Sequence, residues 1–218
     1  MMAISHTKGN ISMKTYQTIY GDHVVEYKES IINTVHKAVL DHPRTLAIRV
    51  DLHDPAILDN GDTITCFANT EDAISRFTRS MKAKVVADTQ RKQRDGKRVY
   101  RNTLRYAWVR EYSQTNKRHY HIFLFLNKDA YYHLGDYELD NNTLRTMIIT
   151  AWCSALGLHP EDHAHLVQFP ANGIYFIDRE KVMNGHYPGD FVERVDYLTK
   201  VRTKVFEDGY RSFGCSNN

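Results

Sequence analysis

Leu104-Arg-Tyr-Ala-Trp-Val-Arg-Glu-Tyr112 and His119-Tyr-His-Ile-Phe-Leu-Phe-Leu126 decide the fold of this 218-residue chain. Both stretches are rich in the aromatic and branched residues that suit a pleated surface, and Ser113 to Arg118 between them reads as a loop. The pair is therefore predicted to form two antiparallel strands. Strand side chains alternate between faces, which puts His119 and His121 on one side. Glu111 joins them in an even-sum register, such as 111 opposite 119. A slip of one residue would send it to the other face.

Working outward, Val25 to Asp41 places Ile31, Ile32, Val35, Val39 and Leu40 at helical spacing, and His42-Pro43 stops that helix. Thr45-Leu-Ala-Ile-Arg-Val-Asp-Leu52 alternates as a strand. Residues 53–69, with Asp54-Pro55 and Asn60-Gly-Asp62, read as a loop. Thr70-Glu-Asp-Ala73 opens a helix that continues through Phe77, Met81 and Val85 to about Gln90, before a turn at Gln93-Arg-Asp-Gly96. Downstream, Thr143 to Leu156 is predicted helical, with Gly157 as its stop. His165–Phe169 and Gly173–Asp178 read as strands, joined as a hairpin by Pro170-Ala-Asn-Gly173. Asp190 is placed to cap a helix from Phe191 to about Lys204. The sum is an α+β domain, an antiparallel sheet with helices segregated from it, over residues 41–218. An N-terminal tail and helix precede it over residues 1–40, the polar residues 1–24 being expected to be poorly ordered at the start.

Hydrophobic residues make up 42% of the chain and charged residues 25%, the balance of a soluble globular protein. The best apolar run, Ile122–Leu126, is far short of the ~18 residues of a membrane span, and Met1–Lys8 lacks the apolar core of a secretory signal. Cys66, Cys153 and Cys215 lie far apart with no CxxC pair, which argues against a disulfide scaffold or zinc ribbon and fits a reducing cytoplasm. The net charge of +3 conceals an asymmetry. Arg76 to Arg118 holds 14 Lys and Arg against Asp88, Asp95 and Glu111, while the rest of the chain holds 15 against 23 acids. Such a basic segment is an electrostatic footprint for a polyanion, and Arg91, Lys92, Arg94, Lys97 and Arg98 are the candidate nucleic-acid contacts. A solvated helix face is the plainer reading.

Two imidazoles and a carboxylate on one sheet face make a candidate site for a divalent metal, with coordination positions left open. An open metal is what phosphodiester chemistry needs, because it polarises the phosphate and stabilises the charge that develops. A second His-x-His, His163-Ala-His165, follows a helix end in a polar stretch and reads as loop or strand start. Tyr197 and Lys200 stand three apart on the last helix and so share a face. A phenol with a pKa of about 10 is a poor nucleophile at neutral pH, and a nearby metal or ammonium favours its ionised form. Alone, Tyr-x-x-Lys reads as a half-buried tyrosine with a solvated lysine.

Taken in order, Glu111…His119-Tyr-His121…Tyr197-Leu-Thr-Lys200 resembles the HUH (His-hydrophobe-His) endonucleases that initiate rolling-circle replication. Leu46-Ala-Ile-Arg-Val-Asp51 looks like their first motif, and Arg211-Ser-Phe-Gly-Cys-Ser216 is similar to the ends of inovirus gene II-like replication proteins. That group is also known as the YagK/YfjJ C-terminal domain of bacterial prophage regions. The resemblance spans roughly residues 40–216. It implies an antiparallel, about five-stranded, RRM-like sheet, with helices packed on one face and a metal on the open one. It further implies nicking of single-stranded DNA at a replication origin through a 5′-phosphotyrosine intermediate. Carried over by position, His119, His121 and Glu111 would hold Mg²⁺ or Mn²⁺, Tyr197 would be the nucleophile and Lys200 its electrostatic partner. The bulky Tyr120 between the histidines and the single tyrosine on the helix depart from the commoner pattern. With no GxxxxGK[ST] in the sequence, unwinding is assigned to a partner, a host helicase. Two readings compete: a non-catalytic nucleic-acid-binding regulator of the same fold, and a module that stacks bases on Tyr106, Trp108 and Tyr112.

Overall fold

A computed structural model describes residues 13–55, 68–113, 117–206 and 208–217. The start of the N-terminal tail, Asn60-Gly-Asp62 of the predicted loop, and Cys66 lie outside them. The chain opens with a hairpin, β1 (Thr15–Thr18) and β2 (Gly21–Val24), followed by α1 (Val25–Asp41) and β3 (Arg44–His53). Next come α2 (Ala73–Arg94), β4 (Arg105–Tyr112), β5 (Arg118–Asn127) and α3 (Leu144–Leu156). A short α4 (Pro160–His163) and one 3-10 turn lead into β6 (Val167–Gln168) and β7 (Ile174–Asp178). The chain closes with α5 (Arg179–Met183), α6 (Phe191–Thr199) and β8 (Phe213–Cys215).

Local chemistry accounts for several boundaries. α1 stops at His42, whose successor Pro43 disfavours helical backbone before it. α3 starts on a reciprocal capping box between Thr143 and Thr146 and ends with Gly157 at φ +72°, a left-handed stop that glycine adopts without strain. α2 runs to Arg94, past the expected end near Gln90, with Arg91 and Lys92 in its last turn reaching back to the buried Asp88 and complementing the helix dipole. Residues 15–24 are an ordered hairpin, and the 0%-exposed His23 is the reason: its ring hydrogen-bonds Thr18 and Thr199 and stacks on Tyr16.

The main sheet is antiparallel in the order β6-β3-β5-β4-β8, with β7 also on β3. The α+β class and the antiparallel sheet therefore hold. One-sided helix packing does not. Even-numbered residues of the three long strands, such as Leu46, Ile48, Trp108, Ile122 and Leu124, bury against Phe77 and Met81 of α2 and Ile148 and Trp152 of α3. Odd-numbered ones, Ala47, Ala107, Val109, Phe123 and Phe125, bury against Ile31 and Val35 of α1 and Phe191, Val195 and Leu198 of α6. The strands are apolar on both faces, so both must be covered.

The expected hairpin of β6 and β7 is also corrected. They do not pair with each other but lie end to end along the same edge of β3, Gln168 opposite Asp51 and Ile174 opposite Ile48. Five residues thus cross a gap that two residues of β3 span, and Pro170 to Asn172 bulge out. The chain rejoins β3 at Gly173, whose carbonyl accepts from the Arg49 amide at 2.7 Å. A Cβ on Gly173 would lie 2.9 Å from the Pro170 oxygen, so the tight return needs glycine.

The closing strand is equally tight. Gly214 stands opposite Trp108, and a Cβ there would come within 2.6 Å of the indole. Gly214→Ala is expected to displace Trp108 and cost about 1–3 kcal/mol, measurable as a lowered urea midpoint with an unchanged m-value.

Candidate functional site

The register that decides the site is the even-sum one: Glu111 faces His119 across β4 and β5. Glu111, His119 and His121 consequently point to one face, and their ligand atoms all lie within 4.8 Å of one another, close enough to hold a metal ion. This is the face that α1 and α6 cover, and the cluster sits at its end, beyond the apolar residues Phe123 and Phe125. The donor set fits a divalent cation. His121 Nδ1 lies 2.6 Å from Asp51 Oδ1, the carboxylate–imidazole pairing that fixes a ring and leaves Nε2 free to ligate. That Nε2 faces Glu111 Oε2 at 3.5 Å. His119 packs edge-on to His121 and stacks on His53.

The electrostatics follow from burial. Glu111 is 1% exposed. Burial would favour its neutral form, but the His121 contact and the Lys204 and Lys200 charges outweigh it and hold the carboxyl well below its usual range. Burial also opposes the charged form of His121, yet Asp51 and Glu111 on either side raise its pKa. His119 is lowered, chiefly by burial and then by His121, which favours the neutral ring that ligates.

Tyr197 and Lys200 reach this cluster, by a route other than the predicted one. The last helix ends at Thr199 and not near Lys204, and Lys200 leaves it in extended conformation to bridge His23 of the N-terminal hairpin. Its side chain turns back so that Nζ sits 3.4 Å from the Tyr197 ring centroid and 3.5 Å from Glu111 Oε2. The Tyr197 ring lies 6.0 Å from that of His121, with the Arg49 guanidinium 5.3 Å from its centre and Tyr20 edge-on behind it. Asp190 does not cap this helix with its side chain; its carboxylate accepts from Tyr175 and Arg194.

Sequence reasoning missed Lys204, whose ammonium is fully buried. It donates to Glu111 Oε1 at 3.0 Å and to the carbonyls of Leu198 and Lys200 at 2.6 and 2.7 Å. One side chain thus caps the end of the tyrosine helix and fixes the ligand carboxylate. Burial pushes its pKa down to about 8, against the pull of Glu111. The sequence places Arg49 and Asp51 on a strand that resembles a first motif, without giving either a part in the site. Their odd parity, shared with His121 at the register pair 51–121, was the signal.

The other candidates lie elsewhere. Arg91, Lys92 and Arg94 form the last turn of α2 and Lys97 and Arg98 follow it, on the opposite sheet face, beside Tyr131 past the far end of β5. Eight residues of β5, roughly 26 Å at ~3.3 Å each, separate His119 from that end. Arg91 and Lys92 neutralise the buried Asp88, which also accepts from Tyr131, whereas Arg94, Lys97 and Arg98 are exposed. Trp108 is buried against Tyr120, so it offers no stacking platform. His163 and His165 stack on each other in the α4 region, away from any third ligand among the described residues. Cys153 and Cys215 are free thiols, and no described helix is long and apolar enough to cross a membrane.

Two outcomes are expected. Lys204→Met keeps the aliphatic stem but strands the Glu111 charge and two carbonyls, and should cost about 3–5 kcal/mol in urea unfolding at neutral pH. Arg91→Glu, which sets an acid against buried Asp88, should lower the urea midpoint. Arg94→Glu should leave stability within about 0.5 kcal/mol of the parent.

The chain is 50% identical over 205 residues to the uncharacterized protein YagK of Escherichia coli strain K12, covering 94% of this chain and 98% of that one. It is 47% identical over 207 residues to the uncharacterized protein YfjJ of the same strain, covering 93% and 99%. No solved structure matches. Residues 5–216 match the YagK/YfjJ C-terminal domain, and a match over nearly the whole chain makes this protein a member of that family.

Proposed function

We propose that the protein is a metal-dependent endonuclease of the HUH type that nicks single-stranded DNA at a replication origin. The observation that carries this reading is the Tyr197 ring beside a Glu-His-His cluster, with the Lys200 ammonium 3.4 Å from the ring centroid. Glu111, His119 and His121 would hold a divalent ion, Mg²⁺ or Mn²⁺ in this reading, which when bound would supply the charge that polarises the scissile phosphate. Asp51 keeps His121 in the orientation that presents Nε2, and Lys204 keeps Glu111 Oε2 turned toward it. The Tyr197 hydroxyl attacks phosphorus and gives its proton to water, while the bond to the 3′-oxygen breaks and that oxygen takes up a proton from water. The 3′-oxygen leaves as a free hydroxyl and the 5′-phosphate stays on tyrosine. Lys200 and Arg49 supply fixed positive charge beside the pentavalent transition state. Strand separation falls to a helicase partner, and the setting is the cytoplasm of a cell carrying a phage, prophage or plasmid. The regulator reading keeps the same site but predicts DNA binding without turnover.

A labelled origin-containing single strand incubated with Mn²⁺ should yield an SDS-resistant adduct. Tyr197→Phe, lacking one oxygen, should abolish the adduct while retaining affinity within about threefold, because the half-buried ring and its contacts with Lys200 and Arg49 are kept. His121→Ala should abolish both the adduct and Mn²⁺ binding by calorimetry. Undiminished DNA binding with no adduct from the parent protein would favour the regulator. An adduct that persists in Tyr197→Phe would remove Tyr197 from its role.

A further inference from the structure

The basic residues at the end of α2 are only partly explained by structural needs. Arg91 and Lys92 answer Asp88, and cations in a last helical turn also complement the helix dipole. Lys84 has neither explanation. It lies three turns before the helix end, is half-buried, and has no carboxylate partner among the described residues. Burial alone lowers its pKa, with no compensating charge. A desolvated ammonium without a counter-charge is costly unless a ligand supplies one.

Lys84 lines a groove of about 380 Å³ between α2 and α3. Arg91 and Arg94 continue the same stripe of α2, Leu139 and Met147 give the groove an apolar floor, and Asn142 adds an amide at its rim. Asp88, the acid on this wall, is already bonded to Arg91, Lys92 and Tyr131. Across Asp88 a second cleft of about 190 Å³ is lined by Lys92, Lys97 and Arg98, and its second acid, Asp129, is paired with Arg44. We infer that the α2–α3 groove binds a short stretch of a single-stranded nucleic acid, with one phosphate on Lys84, another on Arg94 about 15 Å further along the helix, and a base against Leu139 and Met147. The neighbouring cationic cleft takes an adjoining phosphate, which favours a strand over a free nucleotide. This site is on the opposite sheet face from Glu111, and it stands whether or not the metal cluster cleaves DNA.

The test is fluorescence anisotropy of a labelled single-stranded oligonucleotide at several salt concentrations, with an unlabelled 5′-mononucleotide as competitor. Lys84→Met with Arg94→Gln keeps both stems and the structural Arg91. It is expected to weaken binding at least about tenfold and to flatten the log–log salt slope by roughly 0.7 per cation removed. The single Lys84→Met variant, which should weaken binding and flatten the slope by half as much, replaces the double one if the latter melts early. Parental affinity and slope in a folded variant would overturn the site. So would the absence of saturable binding by the parent protein. A mononucleotide that binds as tightly as the strand would overturn the strand as its occupant.

Discussion

An almost completely buried carboxylate governs the architecture around the site. Glu111 can stay ionised at 1% exposure only because cationic and hydrogen-bonding groups surround it. Those groups come from separate parts of the chain: His121 from the paired strand, Lys200 from just past the last helix, and Lys204 from the turn beyond. Each is held by a further contact. Asp51 fixes His121, the His23 bridge fixes the Lys200 backbone, and two carbonyls fix Lys204. The demand of one charge thus ties the N-terminal hairpin, the central strands and the C-terminal helix into a single arrangement, and Tyr197 is placed as part of it.

The same ties explain why the helix carrying Tyr197 ends where it does. A helix through Lys204 would have carried the Lys204 side chain away along the helix surface. Breaking at Lys200 lets residues 200–204 fold back beneath the helix end. The ammonium then meets both the orphan carbonyls and Glu111. The bulge at Pro170–Asn172 plays a comparable part on the other side. It interrupts the edge of β3 at Arg49, the residue whose guanidinium reaches the Tyr197 ring, and Gly173 returns to pair with the Arg49 backbone.

Two chemistries that lie close in sequence are far apart in the fold. The basic run at the end of α2 and the His-x-His strand are within about thirty residues of each other, yet they occupy opposite faces and opposite ends of the sheet. A polyanion that used both would have to pass around an edge of the sheet. Local charge counting cannot register that separation, because it follows from the direction in which α2 crosses the strands.

The sequence by itself determined the elements and one local constellation. The alternation of β4 and β5, the helical spacing of α1 and the caps of α3 are properties of neighbouring residues, and backbone geometry turns them directly into structure. The shared face of His119 and His121 is of the same kind. Only the tertiary structure decided the register that brings Glu111 to them, the burial of Lys204, the bolting of His23 to Lys200, and the commitment of Arg91 to Asp88. These are contacts between residues from 3 to 177 positions apart. For Lys204 and His23 the residue type alone points the wrong way, since lysine and histidine are commonly solvated. What reverses that preference is a buried counter-charge or acceptor supplied by a distant segment, and no local pattern encodes it.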